Sequence, residues 1–377
     1  MIGRLKNSLL RNAKNLVGWR TDRKIVVFAV DDYGNVRLHS KEARKKLDQA
    51  GLPTYNRFDQ FDTLETKQDL ESLFEVLTSI RDKHGRHAVF TPYAVPCNIN
   101  FEKIAETGYK EYHYELLPQT YQKLSELDAS AYSGAWELWK EGIEKGLMAP
   151  QFHGREHMNL KVFSEKLRAG DHDLMTCLQN RSFTSISRND YETISPMAAF
   201  DFWSFEENQG LHRVIEDGLD QFENVFGYRA ENFTPPVYNV HPVLYKTLKR
   251  GGIDFIDAAM VSNRHQGQGS YKKQFNYTGK QADPGILLMV RNVVFEPTDD
   301  RNIDWVSYAM NQIEAAFRWN RPAIISSHRV NFCGHIDKKN RERGLMALKL
   351  LLQKVTERWP DVEFMTAHEL GKLINSG

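Results

Sequence analysis

Residues 151–160 read QFHGREHMNL and set His153 and His157 four positions apart. On a helix that step brings both imidazoles to one face, one turn apart, close enough to share a divalent ion. Two histidines need a third ligand from elsewhere in the chain. The stretch AVDDYG (29–34) supplies a carboxylate, because Asp31 and Asp32 close the apolar run KIVVFAV. A carboxylate with two imidazoles is an O/N/N set that suits one divalent ion, Zn²⁺ first and Co²⁺, Ni²⁺ or Fe²⁺ as alternatives, with positions left open for water and substrate. Adjacent aspartates serve such a site well, since one can ligate the ion while its neighbour accepts a proton from the hydrolytic water. Without the histidines, the same pair would read as a solvated or helix-capping strand end.

These residues must be positioned by the elements around them. Apolar, β-branched runs recur at KIVVFAVDD (24–32), HAVFTP (87–92, with Tyr93 just beyond), MAPQF (148–152), ENFTPP (231–236), IDFID (253–257), ILLMVRNVVFEP (286–297), PAIISSH (322–328) and DVEFMT (361–366). Helical patterns fall between them, over 40–51, 66–85, 136–147, 205–226, 241–250, 303–319 and 338–358. Thr66 and Asp69 form a capping-box pattern at the start of the second. Short buried strands alternating with helices predict a parallel α/β sheet with helical crossovers, and so many units predict a closed or nearly closed barrel forming one domain over 21–377. Reactive groups in such barrels stand at the C-terminal strand ends. Asp31 and Asp32, His153, the Pro236–Tyr238 turn, and His328 with Arg329 all fall at that end. The polar stretch 262–283 reads as a long loop, either facing substrate or a plain surface insertion.

Composition narrows the function classes. Of 377 residues, 41% are hydrophobic and 11% aromatic, which describes a globular chain. With 50 basic and 49 acidic residues the net charge is +1, so no basic excess argues for nucleic acid as a partner. Cys97, Cys177 and Cys333 are isolated, which excludes a disulfide framework and a Cys-x-x-Cys zinc site and fits a reducing compartment. No apolar run reaches membrane-spanning length and the N-terminus lacks a signal-peptide core, so a cytoplasmic location is expected. Within 1–20, Ile2, Leu5, Leu9, Ala13 and Leu16 lie opposite Arg4, Arg11 and Lys14. This amphipathic helix is expected to pack on the domain, with peripheral contact to an anionic membrane surface as the alternative.

The order of strand-Asp-Asp, H-x-x-x-H, a Pro-Pro-x-Tyr loop and a late strand ending in histidine resembles the NodB-type polysaccharide deacetylases, carbohydrate esterase family 4, as a divergent member. The resemblance implies a distorted (β/α)7 TIM-like barrel and metal-dependent removal of acetyl groups from an N-acetylated, or alternatively O-acetylated, carbohydrate. AVDDYG is similar to the family's T-F-D-D motif, which implies Asp31 as catalytic base and Asp32 as metal ligand with His153 and His157. HGREH is similar to H-[ST]-x-x-H with Gly154 in the Ser/Thr place, and SSHR to the last motif, which implies His328 as general acid. FTPPVYN is similar to R-P-P-Y, with Pro236 and Tyr238 matched and a backbone N–H near Tyr238 expected at the oxyanion. Thr234 replaces that motif's arginine and leaves its orienting role to Arg229 or Arg329, while Asp254 and Asp257 keep the spacing of a D-x-x-D motif. Tyr93, Glu156 and Arg329 are expected to support substrate or ligands.

Other readings remain open on sequence. HGREH also fits H-x-x-E-H, the inverzincin protease signature, with Glu156 as base. A glycoside hydrolase would use two carboxylates such as Asp31 and Glu296. A non-catalytic glycan-binding protein would use Trp203, Trp305 or Trp319 as sugar platforms.

Overall fold

The computed structural model describes residues 12–187 and 194–377. Its central sheet uses the apolar runs nearly as expected: β1 (Lys24–Tyr33), β2 (Phe90–Ala94), β3 (Gln151–Phe152), β4 (Asn232–Phe233), β5 (Phe255–Asp257), β6 (Ile286–Met289), β7 (Val293–Val294), β8 (Ala323–His328) and β9 (Val362–Met365). All pair in parallel in the order β6-β5-β4-β3-β2-β1-β8-β7, and Lys280–Ala282 adds an antiparallel edge to β6. β9 pairs with Lys24–Val27 of β1, and β2 takes over the same edge from Phe28 onward.

The run predicted as one strand over 286–297 is broken. Its first half pairs with β5 and its second half with β8, at opposite ends of the sheet. Only Val290–Asn292 separate them, and four Cα steps span at most about 14 Å. The two ends of the sheet therefore meet at this break. The sheet curls into a distorted seven-position (β/α) barrel in which β6 and β7 share the closing position, and Arg291 sits in the break.

β1 shows why the runs are apolar throughout. Ile25, Val27 and Ala29 lie on the barrel's inner face with Leu287, Met289, Ile324 and, from the C-terminal helix Ala367–Ser376, Leu370 and Ile374. Val26, Phe28 and Val30 face outward under the helices Lys67–Thr78, Ala135–Glu144, Trp305–Arg318 and Lys338–Arg358. A strand buried on both faces cannot alternate polar with apolar. The capping box of Thr66 and Asp69 is formed. That helix ends at Thr78 rather than 85, where the Thr78 and Ser79 hydroxyls donate to the last-turn carbonyls of Phe74 and Val76.

One other expectation changes. The polar loop over 262–283 contains a hairpin of Val261–Gly267 and Ser270–Phe275. Gln268 and Gly269 between its strands both have positive φ, the turn that matches the twist of paired strands. His265 anchors it, buried between the Phe202 and Tyr271 rings with Nδ1 donating to Asp201 Oδ1 at 2.6 Å. At the N-terminus, Ile2, Leu5 and Leu9 of the amphipathic pattern lie outside the described residues. The following segment is held to the domain, with Arg321 donating to the carbonyls of Asn15, Leu16 and Gly18. Among the described residues no helix is long and apolar enough to cross a membrane.

Candidate metal centre

The inner face of β1 continues to Asp31, whose register partner on β8 is His328. Strict alternation would then turn Asp32 outward into the helical layer. Instead Asp32 adopts φ 73°, and the pairing with β2 shifts register between Val30 and Tyr33. Aspartate tolerates this left-handed conformation better than most residues, and the bulge brings a second carboxylate to the mouth. Gly34 completes the turn at φ 75°, where a Cβ would meet Val95 O at 2.8 Å. Gly34→Ala is expected to cost about 1–3 kcal/mol of unfolding free energy, measurable by urea denaturation.

Asp32, His153 and His157 converge, all buried, with potential ligand atoms within 4.8 Å of one another. Asp32 Oδ1 lies 3.1 Å from His157 Nε2 and 3.4 Å from His153 Nε2. The histidine segment is not helical. Gly154 at φ 106° turns the chain after His153, and the next helix starts only at Leu160. The imidazoles meet through this turn, with ring centres 4.9 Å apart. His153 Nδ1 donates to the Thr234 carbonyl at 2.6 Å, so that in the neutral ring Nε2 is the nitrogen that carries the lone pair, and among the described residues it has no hydrogen-bond partner. Such a second contact fixes the tautomer of a metal-ligating histidine.

Electrostatics match this donor set. Burial opposes charge on Asp32, yet His157, His153 and His328 hold its carboxyl well below the usual carboxylate range. Burial lowers His157, which favours the neutral imidazole. An anionic carboxylate and neutral imidazoles are the forms that bind a divalent cation. Asp32, His153 and His157 therefore fit one divalent ion, and the orphaned His153 Nε2 is the atom such an ion would satisfy.

Two polar assemblies flank this cluster. His328 Nε2 lies 3.9 Å from Asp31 Oδ2, and its Nδ1 donates to Glu296 Oε1 at 2.7 Å. Glu296 also accepts from Arg57 Nη2 and from Asn331 Nδ2. Burial alone would lower the imidazole, but the charges of Glu296, Asp32 and Asp31 raise His328 to about 9. On the other side Arg291 grips Asp31 with both arms, Nη1 to Oδ2 at 2.7 Å and Nη2 to Oδ1 at 2.8 Å. Its Nε donates to Asp257 Oδ2 at 2.7 Å and Nη2 also to Thr234 Oγ1 at 2.8 Å, while Tyr93 and Tyr238 rings flank it at 4.9 and 5.5 Å.

No protein-family model matches the chain, and no curated protein matches its sequence. Solved structures do align with it. Two are proteins assigned to the polysaccharide deacetylases, one from Mycobacterium smegmatis (10% identity, 96% of this chain and 93% of that one, TM-score 0.43) and one from Pseudomonas aeruginosa (8%, 93% and 91%, 0.44). A third is the α-amylase AmyC of Thermotoga maritima (12%, 93% and 74%, 0.44). Deacetylases and glycoside hydrolases thus align at similar, low scores, and the side chains of this molecule have to decide between chemistries.

Several expected residues stand elsewhere than sequence suggests. Arg329 is 1% exposed and points away from the cleft to Asp62, Glu65 and the Asn35 carbonyl. Arg229 pairs with Glu223 on the surface. Neither contacts Asp31; Arg291 does, from the break between β6 and β7, with Asp257 behind it. Asp254 only pairs with Lys249 at the surface. Glu156 is buried in a two-point pair with Arg155, at 2.6 and 2.7 Å, away from the ligand atoms, which removes it as a protease base. Tyr93 is fully buried, and its ring lies against the Arg291 guanidinium at 4.9 Å. Pro236 is buried in the turn before Tyr238, and the Tyr238 N–H donates to the Pro235 carbonyl at 2.8 Å, so it is not free for an oxyanion. Trp305 belongs to the core, and Trp319 donates to Asn12 Oδ1 beside the N-terminal segment.

Proposed function

We propose that this protein is a metal-dependent hydrolase that removes acetyl groups from an N-acetylated, alternatively O-acetylated, carbohydrate. The observation that carries the reading is the joint presence, at one barrel mouth, of a three-ligand cluster, an arginine-held carboxylate and an imidazole paired with a buried glutamate. Asp32, His153 and His157 would hold one divalent ion, Zn²⁺ by preference for this donor set. When bound, such an ion polarises a carbonyl and acidifies water. Asp31 takes the proton of the attacking water, both its oxygens oriented by Arg291. His328, kept protonated by Glu296, gives a proton to the departing amine nitrogen as the C–N bond breaks. Acetate and a free amino sugar result.

A glycosidase pair is supported less well. Glycosidic cleavage needs one carboxyl group that stays protonated. Glu296 is held below the usual carboxylate range against its burial, by His328 and Arg57, and Asp31 is clamped by Arg291. The test is acetate release from acetylated oligosaccharides by metal-loaded protein, abolished by a chelator and restored by Zn²⁺. Reducing-end release without acetate, indifferent to chelator, would favour the glycosidase instead.

The His328 pair adds a pH prediction. Turnover should fall as His328 loses its proton near pH 9. Removing the Glu296 charge removes what raises the imidazole, so Glu296→Gln should move the alkaline limb of kcat to lower pH. An unmoved limb in that variant would separate His328 from the acid role.

A further inference from the structure

The short helix Arg57–Phe61 that brings Arg57 to Glu296 also borders a cavity of about 450 Å³, a volume typical of small-ligand sites. Arg37 and Asp59 are its charged lining residues among those described, and Ser187 and Ser195 line it too. The Arg37 side chain is 12% exposed, and its Nε has no hydrogen-bond partner among the described residues. Its ionic contact is Nη2 to Asp59 Oδ1 at 3.4 Å, long for a charged hydrogen bond.

Asp59 is committed elsewhere. Thr184 Oγ1 and the Ser185 N–H donate to its Oδ1 at 2.5 and 3.2 Å, and the Tyr55 N–H donates to Oδ2 at 3.1 Å. Its charge ties the loops around the cavity together and, among the described residues, leaves most of the guanidinium fork unused. A largely buried cation with an unmet N–H is unfavourable unless something relieves it. The group that matches a planar fork is an anion offering two oxygens.

The cavity is close to the reaction. The Arg37 guanidinium carbon stands 5.1 Å from the Phe58 ring centre, and that ring meets His328 edge-on at 5.2 Å. The guanidinium is therefore no farther than about 10 Å from the imidazole, within reach of a substituent on the reacting sugar or of the adjoining unit. None of the steps assigned to Asp31, His328 or the ligand cluster uses it.

We propose that the Arg37 cavity is a subsite for an anionic group of the substrate, a carboxylate or a phosphate, and that the enzyme acts on acidic rather than neutral acetylated saccharides. This rests on the deacetylase reading for its substrate, but the anion site can be tested without turnover. Calorimetric titration of the metal-loaded full chain with glucuronate, inorganic phosphate and, as neutral counterpart, glucose should show binding of at least one anion and not of glucose. Arg37→Met should weaken that binding 10-fold or more, whereas anion binding at the metal cluster would survive the change. Arg37→Lys, which keeps the charge, should retain measurable affinity, and a thermal melt of each variant checks folding. The responding anion tells a carboxylate source from a phosphate source.

Acidic acetylated oligosaccharides should also exceed neutral ones in kcat/KM by 10-fold or more, with Arg37→Met removing the preference mainly through KM. Equal anion affinity in wild type and Arg37→Met, no anion binding at all, or a preference for neutral substrates would overturn the proposal. Arg37-dependent anion binding with no acetate released from any substrate would leave the subsite standing and remove the deacetylase reading.

Discussion

Asp31→Asn protein should keep its divalent ion and lose turnover by about 10²- to 10⁴-fold, whereas His157→Ala should lose ion and turnover together. The two outcomes differ because the adjacent aspartates have different neighbours. Asp32 faces the imidazoles, with Oδ1 at 3.1 and 3.4 Å from their Nε2 atoms. Asp31 faces Arg291 on one side and His328 on the other. Asparagine at 31 preserves size and leaves the ligand cluster untouched but cannot take up a proton. Alanine at 157 removes one of three ligands and leaves a two-ligand remnant around a buried carboxylate. Elemental analysis and acetate-release rate on the same preparations measure both. Thermal melting adds a readout independent of substrate: a chelator should lower the midpoint of wild type and Asp31→Asn but not of His157→Ala, since only protein that binds the ion is stabilised by it. Full turnover in Asp31→Asn would take the base role from that residue, and a full complement of metal in His157→Ala would place the ion elsewhere.

What the sequence displayed and what it hid follow from burial. The barrel strands were legible because burial on both faces makes them continuous apolar runs, as in Ile25–Val30. The hairpin over Val261–Phe275 was not, because its strands are mostly exposed and polar and carry no alternation. The histidine pair was found by helical spacing, although a turn at Gly154 is what brings the rings together; proximity was right and its cause was different. Arg291 is not singled out by the motif, which points to arginines near the Pro-Pro-x-Tyr loop. Its signal was nevertheless present: a single charge inside the apolar run ILLMVRNVV has to be buried, and a buried guanidinium requires carboxylates. Asp31 and Asp257 are those carboxylates. Nothing in sequence brings Arg57 and Asn331 to Glu296 across 239 and 35 positions, so its pairing with His328 is legible only in the fold.

Arg291→Met should therefore damage both stability and catalysis while sparing metal content. The side chain is 3% exposed and is the cation between Asp31 and Asp257. Removing one partner of a buried ionic assembly costs about 3–5 kcal/mol, because the remaining charges stay desolvated and unpaired. Burial already pushes Asp257 up against the opposing pull of Arg291, and without the guanidinium that carboxyl resists ionisation further. The pH dependence follows in sign. The unfolded chain ionises Asp257 near pH 4, whereas the folded variant would hold its proton to higher pH, so the unfolded state binds fewer protons and stability falls as pH rises. The deficit relative to wild type should thus be smaller at pH 5 than at pH 7.5 in urea denaturation. Turnover should drop by about 100-fold or more, since Asp31 loses the clamp that aims its oxygens. Arg291→Lys, with charge but no fork, should recover part of the stability and little of the rate. Metal stoichiometry should stay at the wild-type value, because Arg291 touches Thr234 only through Oγ1 while His153 is held by the Thr234 backbone carbonyl. A variant with normal stability and normal rate would mean that Asp31 needs no orienting cation, and the base assignment would have to be made afresh.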